Sequence, residues 1–259
     1  MSLRPVVLVT GAARRLGRAI ALHLGSKGFD VAVHCRDSQS DAESAMSELK
    51  AVGARAAVFA ADLADEDACR GLVPAVVACF GRLDAVVNNA STFEYDTPTS
   101  FGHAAMDRHW RANVAPAVLL AQALHGHLGV RGGTGCVVNL LDQKLWNLNP
   151  DYFSYTLSKA ALQSATVMLA QSLAPTVRVC GVAPGVTLVS GPMNENEFDK
   201  AHTLTPLQRS STPEDIAQAV RFLLESPAIT GTTLLVDGGQ HLQAQPRDVL
   251  FIANPAKDV

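Results

Sequence analysis

Residues 5–28 read PVVLVTGAARRLGRAIALHLGSKG, and this stretch decides the fold. The apolar run over 5–10 does not alternate with polar residues, which suits a strand buried on both faces. It stops at Gly11, after which Leu16, Ile20, Leu22 and Leu24 follow in an amphipathic pattern as far as Gly28. The order is therefore strand, tight turn, helix. Gly11 and Gly17 fit a phosphate-binding turn, because without a Cβ the backbone N–H groups approach a pyrophosphate closely at a helix N-terminus, where the dipole favours negative charge.

A glycine pair after a strand carries weight only if the unit repeats. Here it does: a second strand covers 30–34, and a third covers 55–60 and ends in Ala61-Asp62-Leu63. Together they complete the βαβαβ half that a dinucleotide requires. Further strands are expected at 84–88, in CVVNLL, in VRVCGVA before Pro184-Gly185, and in TTLLVDGG, with a long helix over about 100–127. The expected architecture is α/β: one Rossmann domain over 1–259, a doubly wound seven-stranded parallel sheet with helices on both faces. The polar, weakly periodic segment 186–208 is expected to be a mobile substrate lid, and 242–259 a tail that reaches a neighbour's site.

Composition excludes several classes of function. Of 259 residues 48% are hydrophobic and 17% charged, and the net charge is −3, which offers no basic surface to nucleic acid or acidic lipids. No apolar run reaches membrane-spanning length, and the N-terminus runs directly into a strand without the apolar core of a signal peptide, so a cytoplasmic location is expected. The five cysteines are scattered without CxxC spacing, and the eight histidines show no metal-ligand spacing. They read as reduced core residues and as surface or satisfied core histidines, with no metal site.

The chemistry points to residues 139–163, NLLDQKLWNLNPDYFSYTLSKAALQ, where Tyr155 and Lys159 stand four apart on one helix face. A lysine ammonium beside a phenol favours the phenolate, so the expectation is a tyrosine with lowered pKa acting as acid and base. Asp142 is delivered to the C-terminal end of the fifth strand, where open parallel sheets bind ligands, and it should share a crevice with Asn89 and the glycine turn. Asn88 and Asn89 suit bridging of neighbouring strand ends, and small Ala90 lets a ring lie close to the backbone. Asn113, inside an apolar helix, either serves the site or satisfies backbone at a Pro116 kink.

At the end of the second strand the sequence is His34-Cys35-Arg36-Asp37-Ser38. An acid here reads a ribose hydroxyl and a cation reads a 2′-phosphate. Arg36, helped by Arg14 or Arg15, points to NADPH, whereas Asp37 suits NADH; NADPH is favoured.

TGAARRLG, Asp62, NNAS, Asn113, Tyr155-x3-Lys159, Pro184-Gly185 and VDGG resemble, in order and spacing, the short-chain dehydrogenase/reductase superfamily over essentially the whole chain. The resemblance implies a catalytic Tyr155, a Lys159 that binds the nicotinamide ribose and lowers the tyrosine pKa, and an Asn113 that supports a proton-relay water. It also implies a cofactor lying along Gly11, Arg14, Arg15, Leu16, Gly17, His34, Arg36, Ser38, Asp62, Leu63, Asn89, Ala90, Ser91, Pro184, Gly185 and Val186. Two departures matter more than the matches: Arg15 replaces the middle glycine of TGxxxGxG, and Asp142 replaces the usual serine. Both resemble the pteridine reductase branch, as does Phe93 two residues after NNAS. That branch implies a pterin stacked on Phe93, with Arg15, Ser91, Asp142, Trp146 and Tyr155 around it, and a homotetramer.

Three functions compete. A carboxyl at 142 can hydrogen-bond an N–H edge or protonate a ring nitrogen, which favours reduction of a dihydropteridine C=N bond with protons from Tyr155 and Asp142. The alternatives are a generalist carbonyl reductase or alcohol dehydrogenase, and a sensor that binds NADP(H) without chemistry.

Overall fold

The structure, a computed structural model, describes residues 4–189 and 193–254; 190–192 of the expected lid and 255–259 of the tail lie outside the described residues. Seven strands form one parallel sheet: β1 (Val6–Val9), β2 (Asp30–Cys35), β3 (Ala56–Ala60), β4 (Ala85–Asn88), β5 (Gly135–Leu140), β6 (Val177–Pro184) and β7 (Thr233–Val236). Their order is β3-β2-β1-β4-β5-β6-β7, so the winding reverses between β1 and β4. Helices α1 (Arg15–Ser26), α2 (Gln39–Ala51), α3 (Glu66–Phe80), α4 (His103–His109), α5 (Ala115–Arg131), α6 (Phe153–Ser172), α7 (Glu195–Thr203), α8 (Pro213–Glu225) and α9 (Val249–Ala253) complete the chain.

Alternation along each strand sorts the core into two layers. Val7, Val9, Val31, Val33 and Val138 face α1, α2 and α8 through Ile20, Leu24, Leu49, Ile216 and Val220. Val6, Leu8, Val86, Val137 and Val179 face α3 and α5 through Leu72, Val76, Leu120 and Leu124. Both faces being covered is why these strands are apolar throughout.

The helix expected over 100–127 runs without a break over 103–131, as α4, a π-helical turn Trp110–Val114, and α5. Pro116 lies in the first turn of α5, directly after the widened turn, which carries Asn113. The segment expected as a lid contains α7, started by an Asn194–Glu197 capping box. Among the described residues no helix is long and apolar enough to cross a membrane.

The glycine turn is sterically determined. Gly11 takes φ +63, and a Cβ on Gly17 would stand 2.1 Å from the Gly11 carbonyl oxygen and 2.5 Å from Asn89 Nδ2. Both neighbours are held in place, since Asn89 Nδ2 donates to the Thr10 and Gly11 carbonyls at 2.9 and 3.3 Å. Gly17→Ala therefore forces a backbone shift; unfolding in urea is expected to show a loss of about 1–3 kcal/mol.

Candidate active site

The crevice opens at the carboxyl ends of the strands, above the reversal between β1 and β4. Thr10 staples those two strand ends: its Oγ1 accepts the Asn89 and Ala90 N–H groups at 2.9 and 3.0 Å. Asn88 Nδ2 donates to Asn139 Oδ1 at 2.8 Å, so the asparagines do bridge neighbouring strands. Two cavities of about 570 and 710 Å³ flank this line and share Arg15, Leu16, Asn89 and Ser91 in their walls.

The larger cavity holds the glycine turn, Arg14, His34, Arg36, Ser38, Asp62 and Leu63, the residues expected along a dinucleotide. Its fit to a pyrophosphate is direct. α1 begins without a side-chain cap and without an acidic residue in its first turn, so its N-terminal N–H groups remain available to an anion. His34 is better described as structural: Nδ1 accepts the Gly11 N–H at 3.0 Å and Nε2 faces the Ala61 carbonyl at 3.0 Å. Burial pulls its pKa down, which keeps the ring neutral and the turn tied to β2 and β3. Arg36 pairs with Asp37 at 2.6 Å and Arg14 with Asp41, both at the exposed rim.

The smaller cavity contains the chemistry. Tyr155 and Lys159 are buried on one face of α6, and the Tyr155 hydroxyl donates to Asp142 Oδ2 at 2.8 Å. Asp142 Oδ1 accepts the Lys144 N–H at 2.8 Å, which caps a 3-10 turn over Gln143–Trp146. Loss of water contact pushes the Asp142 carboxyl above its usual range, against the Lys144 N–H, the Tyr155 hydroxyl and the two lysine charges. Burial, and then the facing carboxyl, push the Tyr155 phenol well up. The expectation of a lowered tyrosine pKa is thus corrected: Lys159 Nζ donates to the Leu140 carbonyl at 2.7 Å and lies 5.7 Å from the phenol ring centre, while an acceptor carboxyl occupies the hydroxyl. Burial brings the Lys159 ammonium down to about 8.

The Asn113 side chain is fully engaged. Its Oδ1 accepts from Thr92 N at 2.7 Å and Ser91 Oγ at 3.2 Å, and its Nδ2 donates to Thr92 O at 3.1 Å and Ser158 Oγ at 2.9 Å. Two acceptor and two donor sites exhaust a carboxamide, so a relay water at Asn113 would have to meet its backbone carbonyl. Asn113 joins the loop after NNAS to α6.

Phe93 stacks on Tyr152 at 4.1 Å and 15°, meets Tyr155 edge-on at 4.7 Å, and remains 39% exposed toward the cavity. It lines the cavity and is not core packing. Arg15 keeps the left-handed backbone that a glycine would take there, φ +52, and its guanidinium donates to the Val189 carbonyl. Pro184, Gly185 and Val186 also line this cavity. Trp146 does not: the 3-10 turn carries Gln143 and Lys144 inward and sends Trp146 out to solvent, so its expected place in the substrate pocket is withdrawn.

Sequence reasoning missed the outer wall. The tail lies against its own chain's cavity, with Gln245, Asp248, Val249 and Leu250 in the lining. Arg247 clasps the Asp151 carboxylate at 2.9 and 3.0 Å, and buried Lys144 pairs with Asp248 at 3.3 Å. Asp248 before the apolar run Val249–Ala253 is a helix-start signal that could have located it. Asp96, also missed, holds the start of α6 by accepting from Ser154 N at 2.9 Å. No cluster of potential metal ligands occurs among the described residues.

Comparison with known proteins agrees with this geometry. The family model adh_short_C2, described as enoyl-(acyl carrier protein) reductase, matches residues 11–241. A putative ketoacyl reductase of granaticin polyketide synthesis from Streptomyces violaceoruber is 34% identical over 92% of this chain and 96% of its own. The structure titled FolM alternative dihydrofolate reductase 1 from Brucella suis, in complex with NADP, is 41% identical with a TM-score of 0.90, covering 96% of this chain and 99% of that one. The Brucella canis protein of the same name, also complexed with NADP, is 40% identical with a TM-score of 0.87 over 94% and 97%. A match that runs from the phosphate turn to the last strand, with relatives this similar over nine-tenths of the chain, makes the protein an oxidoreductase of the short-chain dehydrogenase/reductase family.

Proposed function

We propose that this chain is an NADPH-dependent reductase of a dihydropteridine C=N bond. The observation that carries the reading is the Tyr155–Asp142 hydrogen bond of 2.8 Å in the cavity that Phe93 also lines, its ring 4.7 Å from that of Tyr155. A flat heterocycle laid on the Phe93 ring would bring a ring nitrogen to an acid pair, where a hydroxyl would have suited a ketone oxygen. The NADP-bound FolM relatives support the same choice.

A bound reduced nicotinamide would supply the hydride. The chain's own residues would bind it and handle the proton. The glycine turn and α1 bind the pyrophosphate, and Arg14 and Arg36 exchange their exposed carboxylate partners for a 2′-phosphate, a small sacrifice because exposed ion pairs contribute little. Asp142, its pKa raised, gives a proton to the ring nitrogen, and the Tyr155 hydroxyl relays a replacement along their hydrogen bond, passing its own proton to the carboxylate as it takes one from water. Lys159 holds positive charge below pH of about 8 at the floor of the site. Asn113 and Asp96 position the loop and helix that carry these groups.

A cytoplasmic homotetramer is part of this proposal. Leu157, Val167 and Met168 leave an apolar stripe exposed on α6, and all five cysteines are unpaired.

The deciding assay follows NADPH oxidation with dihydrobiopterin, dihydromonapterin, dihydrofolate and a ketone panel. Turnover of ketones alone would overturn the pteridine reading in favour of a carbonyl reductase, which the ketoacyl reductase relatives represent. Tyr155→Phe is expected to lower kcat by about 10²–10⁴-fold, with NADPH binding retained by fluorescence titration. For pH dependence, kcat/KM should fall as Asp142 ionises at its raised value; in Asp142→Asn the rate is lower, that limb disappears, and only the fall near 8 from Lys159 remains. Combined Arg14→Ala and Arg36→Ala is expected to raise KM for NADPH by roughly tenfold or more, with much less change for NADH.

A further inference from the structure

A lysine seldom gives up its water, yet Lys144, two residues from Asp142, is only 4% exposed in the cavity wall. It is engaged at both ends. Its backbone N–H donates to Asp142 Oδ1 at 2.8 Å, which caps the turn Gln143–Trp146. Its ammonium donates to the Asp151 carbonyl, pairs with Asp248 Oδ2 at 3.3 Å and lies 5.5 Å from the centre of the Tyr152 ring. A cation taken out of water this far is tolerated only where its partners are themselves well placed. Here they are: the Asp151 carboxylate accepts the Asp248 N–H at 2.7 Å and is clasped by Arg247, while Asp248 Oδ1 accepts the Leu250 N–H at 3.1 Å at the start of α9.

The charged and titratable groups around the Tyr155–Asp142 pair come from every side of the cavity floor. The turn contributes Lys144, and α6 contributes Lys159, held by the Leu140 carbonyl. The segment before α6 contributes Asp151, with Arg247 and the Tyr95 hydroxyl on its carboxylate, and the tail contributes Asp248. From α4, His109 lies with its ring centre 6.3 Å from that of Tyr155 and its nitrogens on the Glu94 N–H and the Ala105 carbonyl. Arg15 lines the cavity from the phosphate turn. Within this set Lys144 and Asp248 act in opposite senses. Burial raises the Asp142 carboxyl; the Lys144 N–H is the largest influence against that rise, and the Lys144 ammonium adds to it. Burial and Asp142 push the Tyr155 phenol up, and Asp248 pushes it further.

We infer that Lys144 is a positioning residue for proton delivery: anchored to the tail by Asp248 and to the approach to α6 by the Asp151 carbonyl, it holds the Asp142 carboxyl in place and under a positive field. The inference rests on the acid role given to Asp142 above and deepens it. Lys144 acts through Asp142 and not on the substrate. Asp248, 104 residues further along the chain, therefore takes part in setting the strength of the acid at the centre of the site.

The test records kcat and kcat/KM against pH for the full-length wild type, Lys144→Met and Asp248→Asn with NADPH and dihydrobiopterin, each substitution being repeated in an Asp142→Asn background. Tm and NADPH titration report on the fold. Lys144→Met removes a cation beside a carboxyl, so Asp142 keeps its proton to higher pH: the fall of kcat/KM on its ionisation is expected to move up, and kcat to drop roughly threefold to tenfold because the acid is weaker. Asp248→Asn leaves the ammonium uncompensated, and the same fall is expected to move down. In the Asp142→Asn background neither substitution is expected to move what remains. Should Lys144→Met fail to fold, Lys144→Met with Asp248→Asn, which strands no charge, is read in its place; its fall is expected above that of wild type, since of the two residues Lys144 is the one whose charge bears on Asp142. Loss of activity or Tm in both single variants with the fall unmoved would assign the pair a purely structural role and overturn the inference. Movement in the same direction in both would trace the effect to a loosened turn and overturn it equally. If the fall assigned to Asp142 persists in Asp142→Asn, the acid role fails and this inference with it. If only ketones are reduced, the same profiles are taken on a ketone, where opposite shifts would uphold this inference while the pteridine reading fails.

Discussion

A carboxyl, a phenol and an ammonium share one nearly dry floor between the end of β5 and the first turns of α6. Each loses hydration there, and each is compensated by a specific neighbour. The Tyr155 hydroxyl has Asp142 at 2.8 Å, Asp142 has the Lys144 N–H, and Lys159 has the Leu140 carbonyl. Withdrawal from water raises the Asp142 and Tyr155 pKa values and brings that of Lys159 down to about 8, so the ammonium keeps its charge near neutrality while both acids hold their protons to higher pH than they would in water. That favours delivery of a proton over its removal, which is the demand of a reduction. A serine in place of Asp142 would keep the hydrogen bond and lose the second titratable site.

The remainder of the crevice serves to keep this floor in register with the phosphate turn. Thr10 and Asn89 lock β1 to β4 where the winding reverses, and His34 locks the turn to β2 and β3. On the other side, the loop after NNAS is held at three points: Asn113 at Thr92, His109 at the Glu94 N–H, and Asp96 at α6. Phe93 sits within that span with Tyr152 stacked against it, so this side of the cavity wall is rigidly supported. Preorganisation of this kind spares a ligand the cost of ordering the wall.

The outer wall is ionic where the inner wall is aromatic. Lys144, 4% exposed, reaches the Asp151 carbonyl and the Asp248 carboxylate and lies 5.5 Å from the centre of the Tyr152 ring. One buried cation thereby couples the tail to the back of the aromatic stack. Leu250 and Phe251 complete the seal against Tyr152 and Tyr155. A cavity walled by the end of its own chain has its outline set by residues remote in sequence from the Tyr-Lys helix.

What could be read from sequence was whatever local pattern and chain order determine. Unbroken apolar runs, repeated with helical spacing between them, leave a doubly wound parallel sheet as the arrangement that buries both strand faces, and the boundaries fall within a residue of the observed strands except at the last, where TTLLVDGG overruns β7 by three residues. The gathering of Gly11, Asn89, Asp142 and Tyr155 followed from the rule that such strands present their carboxyl ends to one crevice. Side-chain partnership was not legible, because it depends on distances across the fold. The spacing of Tyr155 and Lys159 suggested an ammonium acting on the phenol, yet the third dimension gave the phenol to Asp142 and the ammonium to a carbonyl. Trp146 looked like a pocket aromatic until a 3-10 turn faced it outward, and that turn, Gln143–Trp146, packs at the cavity wall against another, Gln240–Leu242, that is remote in the chain. Sequence determines which groups are present and on which element; only the packed structure decides which of them lose water together, and that loss sets their chemistry.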